Sequence, residues 1–143
     1  GIPMLILTGP ERLKDLSKLL DKYSELNTVI DHMADVHPDD KEGRSMLTDM
    51  ARYPNVFVKV SHTWSISKES YPWTDTHGLV EEVYQAFGAQ RISWGTDWPV
   101  CLTNADYSQT LSVVREKMSF FSTEDLEWVL GKTALRLWNF GED

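Results

Sequence analysis

A carboxylate held between two tryptophans, in Arg91-Ile92-Ser93-Trp94-Gly95-Thr96-Asp97-Trp98-Pro99, is the side chain best placed for chemistry in this sequence. Ile92 and Trp94 share one face of a short strand, and Gly95 and Pro99 will not extend it. Asp97 therefore falls at or just past the C-terminal end of that strand, the edge where α/β proteins collect ligands and catalytic groups. A turn-capping role answers to the same position, since Asp, Gly and Pro are ordinary turn formers. Thr28-Val29-Ile30-Asp31-His32-Met33 repeats the arrangement with an imidazole. A His and an Asp at the ends of different strands can meet around one metal ion or one activated water, which is a hydrolytic chemistry. The whole set expected at this edge is Thr8, Asp31, His32, Ser61, His62, Trp64, Asp97 and Trp98. His37 and His77 stand in helix-leading loops and have a weaker case.

Such a set needs parallel strands, and the pattern supplies them. Four apolar runs, Pro3–Leu7, Thr28–Ile30, Val56–Val60 and Arg91–Trp94, alternate with stretches of helical spacing. Leu13, Leu16, Leu19, Leu20 and Tyr23 form the first helical stripe, after Pro10 at a favourable first-turn position. Met46, Leu47, Met50 and Ala51 form the second, led by Pro38-Asp39-Asp40. Leu79, Val80, Val83, Tyr84 and Phe87 form the third, with Gly88 as its C-cap. Tyr107, Leu111, Val114 and Met118 make a fourth helix. Ser122-Thr123-Glu124-Asp125 starts a fifth with a break expected at Gly131, and Leu135, Leu137, Trp138 and Phe140 close the chain. Alternation of this kind implies parallel strands joined by crossovers. The near-continuous apolar runs imply strands buried on both faces. The polar, aromatic stretch from Ser65 to Thr76 is long for such a connection and reads as a lid or binding loop.

Composition narrows the partners. A chain of 143 residues, 41% hydrophobic, 25% charged and 11% aromatic, suits one globular domain. The formal charge of -8 argues against nucleic acid, which needs clustered Lys and Arg. No apolar run approaches the roughly 20 residues that cross a membrane, and Gly1-Ile2-Pro3-Met4 lacks the basic start of a signal peptide. The single cysteine, Cys101, excludes an internal disulfide and fits a cytoplasmic protein. No Gly-rich phosphate loop is present. A small-molecule substrate is the partner left. His62, Trp64, Tyr71, Trp73 and Trp98 suit an aromatic wall for a flat ring, or equally the packing of a loop.

These residues resemble a known family. Val29-Ile30-Asp31-His32-Met33, Asn55-Val56-Phe57-Val58-Lys59-Val60-Ser61 and Arg91 through Pro99 are similar to the amidohydrolase-2 branch of the amidohydrolase superfamily, as is Leu130-Gly131-Lys132-Thr133-Ala134-Leu135-Arg136-Leu137. Within it the likeness is to lactonase-like members acting on sugar lactones and pyrone dicarboxylates. The resemblance implies that residues 1–143 are a single (β/α)4 unit, the C-terminal half of a (β/α)8 TIM-like barrel. It would hold strands five to eight, about four parallel strands with outer helices. It implies His32 and Asp97 as the catalytic and metal-ligating residues, His32 polarising the substrate carbonyl and Asp97 taking the proton of the attacking water. The aromatic character of this edge, rather than the resemblance, makes His62, Trp64, Tyr71 and Trp98 the expected substrate-binding residues. The cofactor implied is a divalent metal, zinc or manganese, or none, since some lactonase-like members are held to work without one.

The sequence also departs from the family. It contains no His-x-His pair, which the family's first strand carries, and its length falls short of the roughly 250 residues of a full barrel. Leu7-Thr8-Gly9 stands where many relatives have a metal-binding histidine. The expectation is a hydrolase half-site, of a lactone or a related ester or amide, in a chain that forms a homo-oligomer or lacks its N-terminal half. The alternative is a non-catalytic α/β binding or self-association module. A small open α/β domain of another kind, with Asp97 a turn residue, comes third.

Overall fold

The computed structural model describes residues 2–138. The four expected strands form, slightly trimmed: β1 (Met4–Ile6), β2 (Thr28–Ile30), β3 (Val56–Val60) and β4 (Ile92–Trp94). They make one parallel sheet in the order β1-β2-β3-β4, with Leu5 opposite Val29, Val29 opposite Phe57 and Val58 opposite Ile92. Helices follow each strand: α1 (Leu13–Lys22) after β1 and α2 (Lys41–Asp49) after β2. The short α3 (Thr63–Ile66) and then α4 (His77–Phe87) follow β3, and α5 (Tyr107–Ser112) follows β4. Among the described residues the last helices are α6 (Thr123–Glu127) and α7 (Thr133–Leu137). This is the strand-helix order and sheet of half a TIM-like barrel.

The sheet's two faces are buried by different means. Ile30, Val56, Val58, Val60 and Ile92 point into the main core with Leu13, Leu20, Leu47, Met50, Val80 and Val83 of the outer helices. Val29 and Phe57, offset by one residue and so on the opposite face, are covered by Leu137 and Trp138 at the chain's end. The cover does not reach β1. Leu5 is 50% and Leu7 70% exposed, so the expectation of strands buried on both faces fails there, because nothing in the described chain packs beyond this edge strand.

Two further expectations change, in α1 and at Gly131. Leu19 and Tyr23 of the first stripe lie at the exposed side of α1, while Leu13, Leu16 and Leu20 carry its burial. Gly131 does not break the helix: a π-helical segment, Trp128–Lys132, carries the backbone from α6 into α7. Residues 65–76 carry hydrogen bonds of their own and are also tied to Asp39 through Lys68 and to Ser112 through Tyr71. Asp75 accepts from Ser67 Oγ and the Lys68 amide, Glu69 accepts from Thr74 Oγ1, and Ile66, Trp73 and Thr76 are buried. Phe140 lies outside the described residues. Gly88, by contrast, caps α4 as expected, at φ 72 with its N–H donating to Tyr84 O at 2.8 Å.

Candidate metal centre

The functional side chains sit on three turns, each leaving the C-terminal end of a strand in a left-handed backbone. After β2 the chain coils through Asp31–Asp35, with φ of 50, 53, 56 and 48 for His32, Met33, Ala34 and Asp35. None is glycine, and left-handed geometry costs an L-residue roughly 1–2 kcal/mol. Complete burial of Met33 and Ala34 in the core offsets that cost. His62 after β3 has φ 67 and Asp97 after β4 has φ 59. Strain of this kind persists where surrounding structure over-determines it, and functional sites are where it collects.

The three turns bring His32, His62 and Asp97 together, with one ligand atom from each lying within 4.8 Å of the others. His32 Nε2 is 3.7 Å from Asp97 Oδ1 and His62 Nε2 is 3.2 Å from Asp97 Oδ2. The imidazoles lie 4.2 Å apart, centre to centre, tilted by 30°. Their other nitrogens are occupied: His32 Nδ1 pairs with Ser61 Oγ at 2.7 Å and His62 Nδ1 with Asp35 Oδ1 at 3.0 Å. That pattern fixes ring orientation and tautomer in metal-ligating histidines. Burial pulls the His32 pKa below the ordinary imidazole value, with Asp31 opposing and the positive charge of Lys59 assisting. Neutral imidazole is the form that binds metal.

The donor chemistry passes a physical test for a cation. A carboxylate such as Asp35 only accepts, so His62 Nδ1 must carry the proton shared with it, and the lone pair of neutral His62 is then on Nε2. That lone pair faces an oxygen of Asp97 at 3.2 Å. Two acceptors at such a distance repel unless a proton or a metal ion stands between them. Two imidazole nitrogens and one carboxylate are a three-ligand set suited to zinc and similar divalent ions with an open position.

His32 and Asp97, expected to act together, are brought together. His62, expected in the substrate-binding wall, lies in the ligand cluster itself. Trp64 is only 8% exposed, joins the core and stands edge-on to His62 at 4.5 Å. Tyr71 is half-exposed, with its hydroxyl on Ser112 Oγ at 2.6 Å. Trp73 is buried, whereas Trp98, next to Asp97, is 65% exposed. Thr8 bonds to the carbonyl of Gly9 and makes no contact with the cluster. Two charged residues escaped the sequence reading. Asp35 was hidden by the coil that returns it to His62. Lys59, whose ammonium lies 2.5 Å from Asp31 Oδ1, carried a signal, being the one ionisable side chain in a run of buried β-branched residues.

The chain is similar to known proteins in sequence and in fold. The chain is 36% identical over 102 residues to an L-fucono-1,5-lactonase of Burkholderia ambifaria, covering 66% of this chain and 33% of that protein. It is 27% identical over 151 residues to an L-fucono-1,5-lactonase of Burkholderia multivorans, covering 96% and 51%. A crystal structure of an amidohydrolase from Burkholderia multivorans with bound zinc superposes with a TM-score of 0.85 at 24% identity, covering 96% of this chain and 52% of that one. The chain thus spans from a third to about half the length of the curated relatives it matches. A sequence model of the amidohydrolase family matches residues 1–140, and the chain belongs to that family.

Proposed function

We propose that this chain carries the metal-binding side of a hydrolase site for a lactone or related ester. The observation that carries the reading is the convergence of His32 Nε2 and His62 Nε2 on the Asp97 carboxylate, at the strand edge where barrel enzymes work. His32, His62 and Asp97 would hold a divalent ion such as zinc or manganese. When bound, such an ion supplies Lewis acidity and a more acidic water. Asp97 accepts a proton from the water that attacks the acyl carbon. The same carboxyl returns the proton to the ring oxygen as the acyl–oxygen bond breaks. Ser61 and Asp35 hold the two rings in place. Trp98 offers an exposed aromatic face to a flat ring. The lactone class is favoured by the two L-fucono-1,5-lactonases among the relatives.

The open outer edges of β1 and β4 and the exposed Leu5 and Leu7 fit a second β/α half docked there, from another copy of this chain or from a separate N-terminal half. Among the described residues no helix is long and apolar enough to cross a membrane. Buried, unpaired Cys101 fits a cytoplasmic setting. The test is metal analysis and sugar-lactone hydrolysis, for the chain alone and with a complementary half added. One zinc or manganese ion per chain, lost in Asp97→Asn, supports the reading. Neither metal uptake nor hydrolysis in any combination would leave the non-catalytic module in its place.

A further inference from the structure

Lys59 takes part in none of the steps above, yet among the described residues it is the one ammonium paired beside the cluster. The register that pairs Ile30 with Val58 sets Asp31 beside Lys59 in the next row, on the sheet face opposite the main core. Asp31 Oδ1 is buried and has no partner in hydrogen-bonding geometry, and the Lys59 ammonium at 2.5 Å answers it through charge. The stem of Lys59 passes over Gly95. A Cβ there would meet Lys59 Cε at 3.0 Å and Cδ at 3.4 Å, so the missing side chain is the groove in which the stem lies. Asp31 also has a second possible role. Its Oδ2 lies 3.7 Å from His32 Nε2, the same distance as Asp97 Oδ1. Two carboxylates thus flank one imidazole nitrogen, and only one of them belongs to the cluster.

We propose that Lys59, steered by Gly95, is a positioning residue that holds Asp31 out of the ligand set, so that the centre keeps three protein ligands and an open position. This rests on the metal reading of His32, His62 and Asp97. An isolated buried carboxylate is costly and moves toward the nearest positive charge. With the ammonium gone, that charge is the ion. A fourth, anionic ligand binds the ion more tightly and closes the position that a substrate or water would use.

The probe is cobalt(II), whose visible spectrum changes when the ligand in its fourth position changes. Lys59→Met is expected to shift that spectrum, a carboxylate replacing water, and to tighten cobalt binding by about ten-fold, the scale on which neighbours of ligands act. Asp31→Asn/Lys59→Met, which also removes the stranded carboxylate, is expected to restore the wild-type spectrum. Gly95→Ala keeps the charge but crowds the stem, and is expected to shift the spectrum in the same direction by less. An unchanged Lys59→Met spectrum, a change that persists in the double variant, or a change absent from Gly95→Ala would each overturn the proposal. The ring ¹⁵N shifts of His32 in the metal-free protein give a second readout. The proposal expects Lys59→Met to bring Asp31 onto His32 Nε2 and move that signal, and no movement would contradict it. Failure of the wild type to take up cobalt would count against the metal reading, and the ¹⁵N comparison would still decide the role of Lys59.

Discussion

The two ends of the sheet treat charge in opposite ways. At the N-terminal end, arginines are spent on backbone and rings. Arg91 donates to the carbonyls of Phe87, Ala51 and Tyr53, and Arg136 lies over the rings of Phe57 and Trp128 and donates to Gln90 O. Every one of those contacts pairs a donor with an acceptor or a cation with a π face. At the C-terminal end, His32 Nε2 and His62 Nε2 both face the Asp97 carboxylate from left-handed backbone. One end uses its charges to hold the chain together, and the other gathers titratable groups around one carboxylate. A fold can hold such a cluster because the opposite edge and the core hold the sheet.

That contrast can be broken by substitution, and the largest effect belongs to Asp97. Asp97→Asn removes the charge on which both imidazoles converge, and stoichiometric metal should be lost by elemental analysis while the fold stays intact by circular dichroism. Asp35→Ala comes next. It frees the His62 ring, and metal affinity measured by titration should fall about 10- to 100-fold. At the other end, Arg91→Ala removes the donor from the half-buried carbonyls of Ala51 and Tyr53. It should cost about 1–3 kcal/mol in urea unfolding with metal affinity unchanged. If Arg91→Ala altered metal binding as much as Asp35→Ala does, the separation of the two ends would be wrong.

The smallest effect is one of pH. In the metal-free chain the lowered pKa of His32 means the native state binds fewer protons than the unfolded state just below the ordinary imidazole value. Stability should therefore fall as pH drops from about 6.5, and His32→Gln should flatten that slope. The carboxyl of Asp125 is lowered by hydrogen bonds from Ser122 and Tyr84. Its contribution is present above the ordinary carboxylate value and is lost only as pH falls through the lowered one. Acid should thus loosen the cluster's end of the sheet before it loosens the hydrogen bonds of Ser122 and Tyr84 to Asp125. Unfolding midpoints between pH 8 and pH 3 check the order.

The two ends were also unequally legible in the sequence. Strand runs such as Val56–Val60, with punctuation at Gly9, Gly88 and Gly95, carry their own position, so the four parallel strands and the edge bearing His32 and Asp97 could be read directly. The convergence of the third residue could not. His62 enters the cluster through φ 67, and Asp35 returns to it through four successive left-handed residues, none marked by a glycine. Propensity cannot announce a conformation that tertiary packing imposes on unwilling residues. Gly131 misled in the opposite sense: the packed helix runs through it by a π-helical turn. Exposure of Leu5 and Leu7 was equally invisible, because an apolar run reads the same whether or not a neighbour covers it.

The central claim is that His32, His62 and Asp97 form one metal centre. Anomalous diffraction at the zinc edge, from crystals of the zinc-loaded chain, tests it most directly. The account predicts one peak bonded to His32 Nε2, His62 Nε2 and an oxygen of Asp97, with Asp31 on Lys59 and outside the coordination sphere. No peak at that position, or one that leaves His62 unbound, would contradict it.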